Sequence, residues 1–186
     1  DIDYVSKNPA LFSSAARSAF PMEMDETTVE MQQNTIINMD PPVHQKVRRI
    51  VRNAFTPKRV DSYEPSFREH ARQIVDAVAD RGQCEFVEEV AAELPLIAIL
   101  ELLGVPLEDR KQFFEWTNTM IFADDPDMSI SEEEGQLAAI EVIGYAMNLA
   151  AKHRESPMDN ITGALLDAEL NGQPVSEDMF GWMFIL

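Results

Sequence analysis

Apolar residues along this chain recur at spacings of three and four rather than in alternation, and glycine is scarce (7 residues), so the pattern predicts a mainly helical protein. Helix starts and stops can be read repeatedly. Asp40-Pro41-Pro42 reads as an N-cap followed by prolines in a first turn, where a missing N–H costs nothing. Thr56-Pro57 repeats that signal, and Pro65 allows a further start, leading to a long helix that ends near Gly82. The apolar stretch from Val87 to Leu103 closes at Gly104, with Pro95 expected to bend it. Pro106 opens a segment to about Phe122, an acidic loop over residues 124–127 follows, and a helix is predicted from about Ser131 to His153. A short helix over about Asp159–Glu169 leads to an Asn171-Gly172 turn. Ser176 then caps a last apolar helix that meets no stop signal before Leu186, which implies a fragment of a longer domain. No repeat, linker or internal boundary interrupts residues 1–186, so the expectation is one partial domain.

Composition narrows the class. The chain has 186 residues, 45% of them hydrophobic and 26% charged, an ordinary folded profile. No apolar run reaches the roughly 18 residues that would span a bilayer. Asp1-Ile2-Asp3-Tyr4 carries no charged-then-apolar leader, and Cys84 alone cannot form an internal disulfide; both readings lead to an expected cytoplasmic location. The net charge of −18 argues against generic binding to nucleic acid or to anionic membranes. Its distribution is uneven. Residues 41–60 hold Lys46, Arg48, Arg49, Arg52, Lys58 and Arg59 and none of the 33 acidic residues. A basic island in an acidic chain needs a local reason.

Placed on a helix at about 100° per residue with His44 at the origin, Val47, Val51, Ala54 and Phe55 fall on one arc, between about 280° and 20°. Arg49, Lys46, Asn53 and Gln45 fall on the opposite, wet side. His44 and Arg48 sit within or beside the apolar arc, four residues apart, with both side chains pointing the same way. A cation so placed is costly unless an anion meets it. Spacing alone admits two solutions: an internal Asp or Glu, or an external anionic group that accepts from both.

The stretch Asp40-Pro-Pro-Val-His44-Gln-Lys-Val-Arg48-Arg49, continued by Ala54-Phe-Thr-Pro57 and Val60, closely resembles the C-helix signature of bacterial cytochromes P-450. The resemblance extends over the whole chain. Asp3–Ser14 is similar to the family's helix B, and Glu88–Asp109, with Ala92-Glu-Leu-Pro95 and Leu102-Leu-Gly-Val-Pro106, to helix E and the turn into helix F. Asp159–Asp167 resembles helix H, and Ser176–Leu186 the opening of helix I. The implied fold is the mainly α N-terminal part of the cytochrome P-450 fold, helices B to early I, truncated. Within the superfamily, Glu141–Met147 and Leu94–Ala98 look similar to hydroxylases of steroid side chains and branched terpenoids.

What the resemblance implies is a monooxygenase that binds haem b, takes electrons from a ferredoxin and uses dioxygen to hydroxylate an apolar small molecule. In that family the His and Arg of this motif bind the haem propionates, a role that falls here on His44 and Arg48, with Ile36 as a further haem contact. The substrate roof would be formed by residues 17–38 and 117–131, with Thr35, Phe20, Met120 and Ile121 as substrate contacts. Arg49, Arg52, Lys58 and Arg59 would offer a surface to an acidic ferredoxin.

The iron-binding thiolate loop and the oxygen-activating pair of the family have no counterpart in these residues, so no catalytic or metal-binding residue is assigned and the fragment alone is not expected to be active. Cys84, in Arg-Gly-Gln-Cys-Glu-Phe, does not match the thiolate motif and reads as a structural or surface thiol. Glu69 and Arg72 read as a surface ion pair. His44, His70 and His153 have no metal-ligand spacing, and Glu132-Glu133-Glu134 reads as a solvated helix N-terminus. The alternative is a helical binding module without cofactor, recognising a protein or, through residues 46–59, a nucleic acid; the acidic remainder of the chain opposes the latter.

Overall fold

The computed structural model describes residues 1–17, 26–123, 125 and 127–186, without the side chains of residues 27, 28, 31, 53 and 54. The described residues are mainly helical, with one two-stranded hairpin. Their contacts gather into two compact units, and the chain crosses between the units four times.

The first unit comprises residues 1–53, 143–157 and 163–186. It holds α1 (Ile2–Lys7), α2 (Glu26–Gln32), a 3-10 turn at Ile36–Asn38 and nearly all of α3 (Val43–Ala54). The predicted N-cap Asp40 does not cap α3. The helix starts at Val43, after a cis Pro41–Pro42 bond, and the Asp40 carboxylate turns away to accept hydrogen bonds from residues 13–15. The end of α7 (Glu132–Glu155) and α9 (Glu177–Phe184) complete this unit. Ser176 caps α9 as expected, its hydroxyl accepting from the Met179 amide. Phe180, fully buried, and Phe184 lie on the inner side of α9, while Gly181 lets Ile143 and Met147 of α7 approach its backbone. The Asn171-Gly172 turn joins β1 (Glu169–Leu170) to β2 (Gln173–Pro174); both turn residues have positive φ, the requirement that Asn-Gly meets at least cost. His153, buried near the end of α7, contacts the Asp167 carboxylate at 2.9 Å.

The second unit comprises residues 54–142 and 158–162. Its α4 (Pro57–Ala79) begins at the Thr56-Pro57 signal and runs unbroken through Pro65. One helix stands where two starts were legible, because a single proline inside a 23-residue helix removes one hydrogen bond and leaves the rest. Further on, a π-type turn at Val87–Ala91 precedes α5 (Glu93–Leu103). The break expected at Pro95 therefore falls before it, and the proline occupies the first turn of α5. A short 3-10 turn at Leu107–Asp109 leads into α6 (Arg110–Phe122), as predicted from Pro106.

The start of α7 is held by a capping box: the Ser131 hydroxyl accepts from the Glu134 amide, and the Glu134 carboxylate accepts from the Ser131 amide at 2.7 Å. This accounts for part of the acidic run at residues 132–134. Inside the unit α5 packs against α4 and α6, burying Ile97, Leu100 and Phe113. Across the α4–α5 contact, Ser66 and His70 both reach the same oxygen of Glu101, at 2.6 and 3.1 Å. The stretch 158–162 includes the start of α8 (Ile161–Leu166) and closes over the end of α5, where the Thr162 hydroxyl donates to the Leu103 carbonyl at 2.7 Å.

Glu69 and Arg72 form the surface ion pair read from their spacing, Arg72 reaching Asp76 as well. Cys84 is an exposed free thiol. Among the described residues no group of three His, Cys, Asp or Glu could hold a metal ion, and no helix is long and apolar enough to cross a membrane.

Candidate functional site

The site is built at the foot of α3. Its first hydrogen bonds run from the His44 amide to the Asp40 carbonyl at 3.0 Å and from the Lys46 amide to the Pro42 carbonyl. Of the predicted arc, Val47 is fully covered, at 1% exposure, and the side chain of Ala54 lies outside the described residues. Val51 is half-buried and Phe55, just past the helix, remains 44% exposed. The arc is therefore only partly covered by the described residues. His44 is half-buried, whereas Arg48, expected within or beside the buried arc, is exposed.

Neither His44 nor Arg48 has a side-chain hydrogen bond or ion pair among the described residues. The acid nearest in sequence, Asp40, is engaged elsewhere. It accepts from the Ser13 hydroxyl, from the Ser14 amide at 3.0 Å and from the Ala15 amide. These bonds, that of Ser13 foremost, hold its carboxyl below the ordinary 3.8 despite burial, and the charge of His44 adds a smaller effect. A carboxylate depressed in this way stabilises the fold above its unfolded value, and that contribution is lost as pH falls through the folded value. Asp40→Asn is therefore expected to lower the thermal midpoint at pH 7, with the difference from the parent closing below about pH 4; paired melting curves from pH 2 to 7 test this.

The turn preceding α3 is polar inside. Thr35 and Asn38 are buried, the Thr35 hydroxyl donating to the Gln32 carbonyl at 2.6 Å and the Asn38 amide to the same carbonyl at 3.1 Å. Thr35, predicted as a substrate contact, thus spends its hydroxyl on the end of α2. Ile36 is half-buried and Ile37 is 40% exposed. Phe20 lies outside the described residues. At the end of α6, Met120 is half-buried and Ile121 is 64% exposed.

The basic residues divide. Arg49 and Arg52 on α3, and Lys58 at the start of α4, are exposed with no side-chain partner among the described residues. Arg59 instead bonds the Asp159 carboxylate and backbone carbonyl, and this pairing raises its pKa. Lys46 reaches the Asn171 side chain at the hairpin turn.

What sequence reasoning missed is the set of polar ties at residues 13–15, 32–33 and 40. A signal existed, since Ser13-Ser14 and Asp40 are residues that bond locally to backbone amides, but their separation of 26 and 27 positions hides the pairing.

The chain's likenesses bear on this geometry. Over its full length it is 39% identical to a steroid C26-monooxygenase of Rhodococcus jostii, covering 40% of that protein. It is 33% identical over its full length to a methyl-branched lipid omega-hydroxylase of Mycobacterium bovis, covering 44% of it. Among solved structures, a cytochrome P450 of Mycobacterium marinum in complex with pseudoionone superposes with a TM-score of 0.78 at 28% identity, over 88% of this chain and 40% of that one. The chain spans about two fifths of the length of the curated relatives it matches. No family model matches it.

Proposed function

We propose that this chain, which belongs with the cytochromes P-450 in sequence and fold, is the haem-edge segment of a longer haem-thiolate monooxygenase that hydroxylates an apolar small molecule. The observation that carries the reading is the pair on α3: two nitrogen donors one helical turn apart, unpaired among the described residues, on an arc whose apolar residues are only partly covered. A flat apolar group bearing two carboxylates fits that arrangement. Haem b is such a group, and its propionates would be held by His44 and Arg48, with Ile36 against the ring.

When bound, the haem would supply dioxygen activation: two electrons and two protons convert dioxygen and a C–H bond into an alcohol and water. This chain's residues bind and orient. Arg48 offers a planar fork of donors matched to a carboxylate, and His44 adds a donor from the same helical face. In the first unit the Thr35–Asn38 turn would offer substrate contacts; in the second, the resemblance assigns that role to Met120 and Ile121 at the end of α6. A steroid side chain or branched lipid is the favoured substrate class, given the activities named for the two relatives.

Arg49, Arg52 and Lys58 would steer an acidic electron donor of the ferredoxin type. Such steering raises the encounter rate and weakens with salt. Arg59, already neutralised by Asp159, would contribute little. Residues 1–186 would be parts of one domain, since the chain crosses repeatedly between its two units; the whole protein would lie in the cytoplasm.

The test is the absorbance spectrum of the longer protein, reduced and treated with carbon monoxide. A Soret band shifted as thiolate ligation shifts it is expected. A protein that takes up no haem when haem is supplied contradicts the reading.

A further inference from the structure

We infer that Asp40 is a positioning residue for the apolar end of the substrate, acting through the Thr35–Asn38 turn. The inference rests on the proposed haem-binding reading and goes beyond it, because Asp40 makes no bond to either anchor side chain. Two ties bracket that turn. On its N-terminal side the Gln33 side-chain amide donates to the Ala15 carbonyl at 3.1 Å. On its C-terminal side the Asp40 carboxylate accepts from Ser13, Ser14 and Ala15. Both ties end on the same three-residue stretch, so residues 34–39 are held at two points against residues 13–15.

Within that bracket the polar groups are directed inward and satisfied. Thr35 and Asn38, both under 5% exposed, bond the Gln32 carbonyl. The apolar side chains left over are Ile36, half-buried, and Ile37, 40% exposed, immediately before the helix that carries His44. A carboxylate accepting three donors holds the neighbouring turn in one register. The Ser13 hydroxyl also accepts from the Ala16 amide at 3.0 Å, so the stretch that receives the carboxylate is itself braced. Loosening Asp40 would free Ile36 and Ile37 to shift while leaving α3, whose first bonds are made by backbone carbonyls, in place.

The experiment uses the full-length haem protein and two iron-ligating probes, phenylimidazole and imidazole, titrated by the Soret shift. Both bind the iron through nitrogen; only the first carries an apolar ring large enough to reach a neighbouring turn. Asp40→Ala is expected to weaken phenylimidazole at least tenfold and to change imidazole by less than twofold, with haem content unchanged. Equal weakening of both probes, or of neither, overturns the inference. Should Asp40→Ala not fold, Ser13→Ala decides: a selective loss of about threefold for phenylimidazole supports the positioning role, and an unchanged ratio overturns it. A wild-type protein without haem would instead remove the functional reading itself, an outcome distinct from either.

Discussion

Gly104→Val is expected to destabilise the protein by about 3 kcal/mol or more, enough to prevent accumulation of folded material at 37 °C. Gly104 ends α5 with φ 74° and ψ 29°, the left-handed conformation that L side chains adopt only at a cost of roughly 1–2 kcal/mol. Its amide bonds the Glu101 carbonyl at 3.2 Å, and the Val105 amide bonds Leu100 at 2.8 Å, so the conformation is needed to finish the helix. Space adds to the strain. A Cβ at this position would lie 1.8 Å from the Asn160 side-chain nitrogen, which would have to swing out of the stretch that closes over the helix end. The adjacent Thr162, fully buried, donates to Leu103 and would be disturbed with it. Soluble yield and thermal midpoint measure the effect; a variant melting within 2 °C of the parent would show that the helix end tolerates a side chain.

Phe180→Ala is expected to cost about 3–5 kcal/mol, the range for removing a fully enclosed aromatic ring. Phe180 has no exposed surface and its ring lies 5.9 Å from that of Phe184 on the same helix. A Cβ at Gly181 beside it would lie 3.1 Å from both Ile143 and Met147, so this side of the helix is closely packed and cannot collapse fully into the vacated space. Phe180→Leu, which keeps most of the volume, should recover more than half of the loss. Chemical denaturation of the three proteins gives the comparison, and equal stabilities of the Ala and Leu variants would mean that the enclosure is not rigid.

How much of this was legible in the sequence depends on the range of the interaction that decides each feature. Local signals were read well. Ser176, Gly104, Thr56-Pro57 and Asn171-Gly172 each act within four residues, and each marks the boundary expected of it. Proline was less decisive: Pro65 lies inside α4, because a 23-residue helix loses one hydrogen bond there and keeps the rest. Asp40 shows the same limit from the other side. Beside two prolines it has the look of an N-cap, but a serine 27 positions earlier competes for the carboxylate and wins.

The candidate site was legible to the extent that its residues share one helix. His44 and Arg48 stand one turn apart as the wheel places them, with no ion pair to an acid among the described residues. The exposure of Arg48 was not foreseen, since a wheel gives direction around a helix and not what covers it. Nor was the division of the basic island, in which Arg59 and Lys46 are committed to Asp159 and Asn171 while Arg49, Arg52 and Lys58 remain open. Those partners lie 100 and 125 residues away, beyond the reach of any periodicity.

The two nitrogen donors of α3, His44 and Arg48, are proposed to hold a group bearing carboxylates. The rate at which haem leaves the full-length protein for an excess of apomyoglobin tests it most directly, comparing the parent with the His44→Ala/Arg48→Ala double variant. Two charge-assisted hydrogen bonds are removed, so haem is expected to leave at least tenfold faster with the thermal midpoint of the haem-free protein little changed. An unchanged rate of loss would contradict the claim and assign the pair to some other anion.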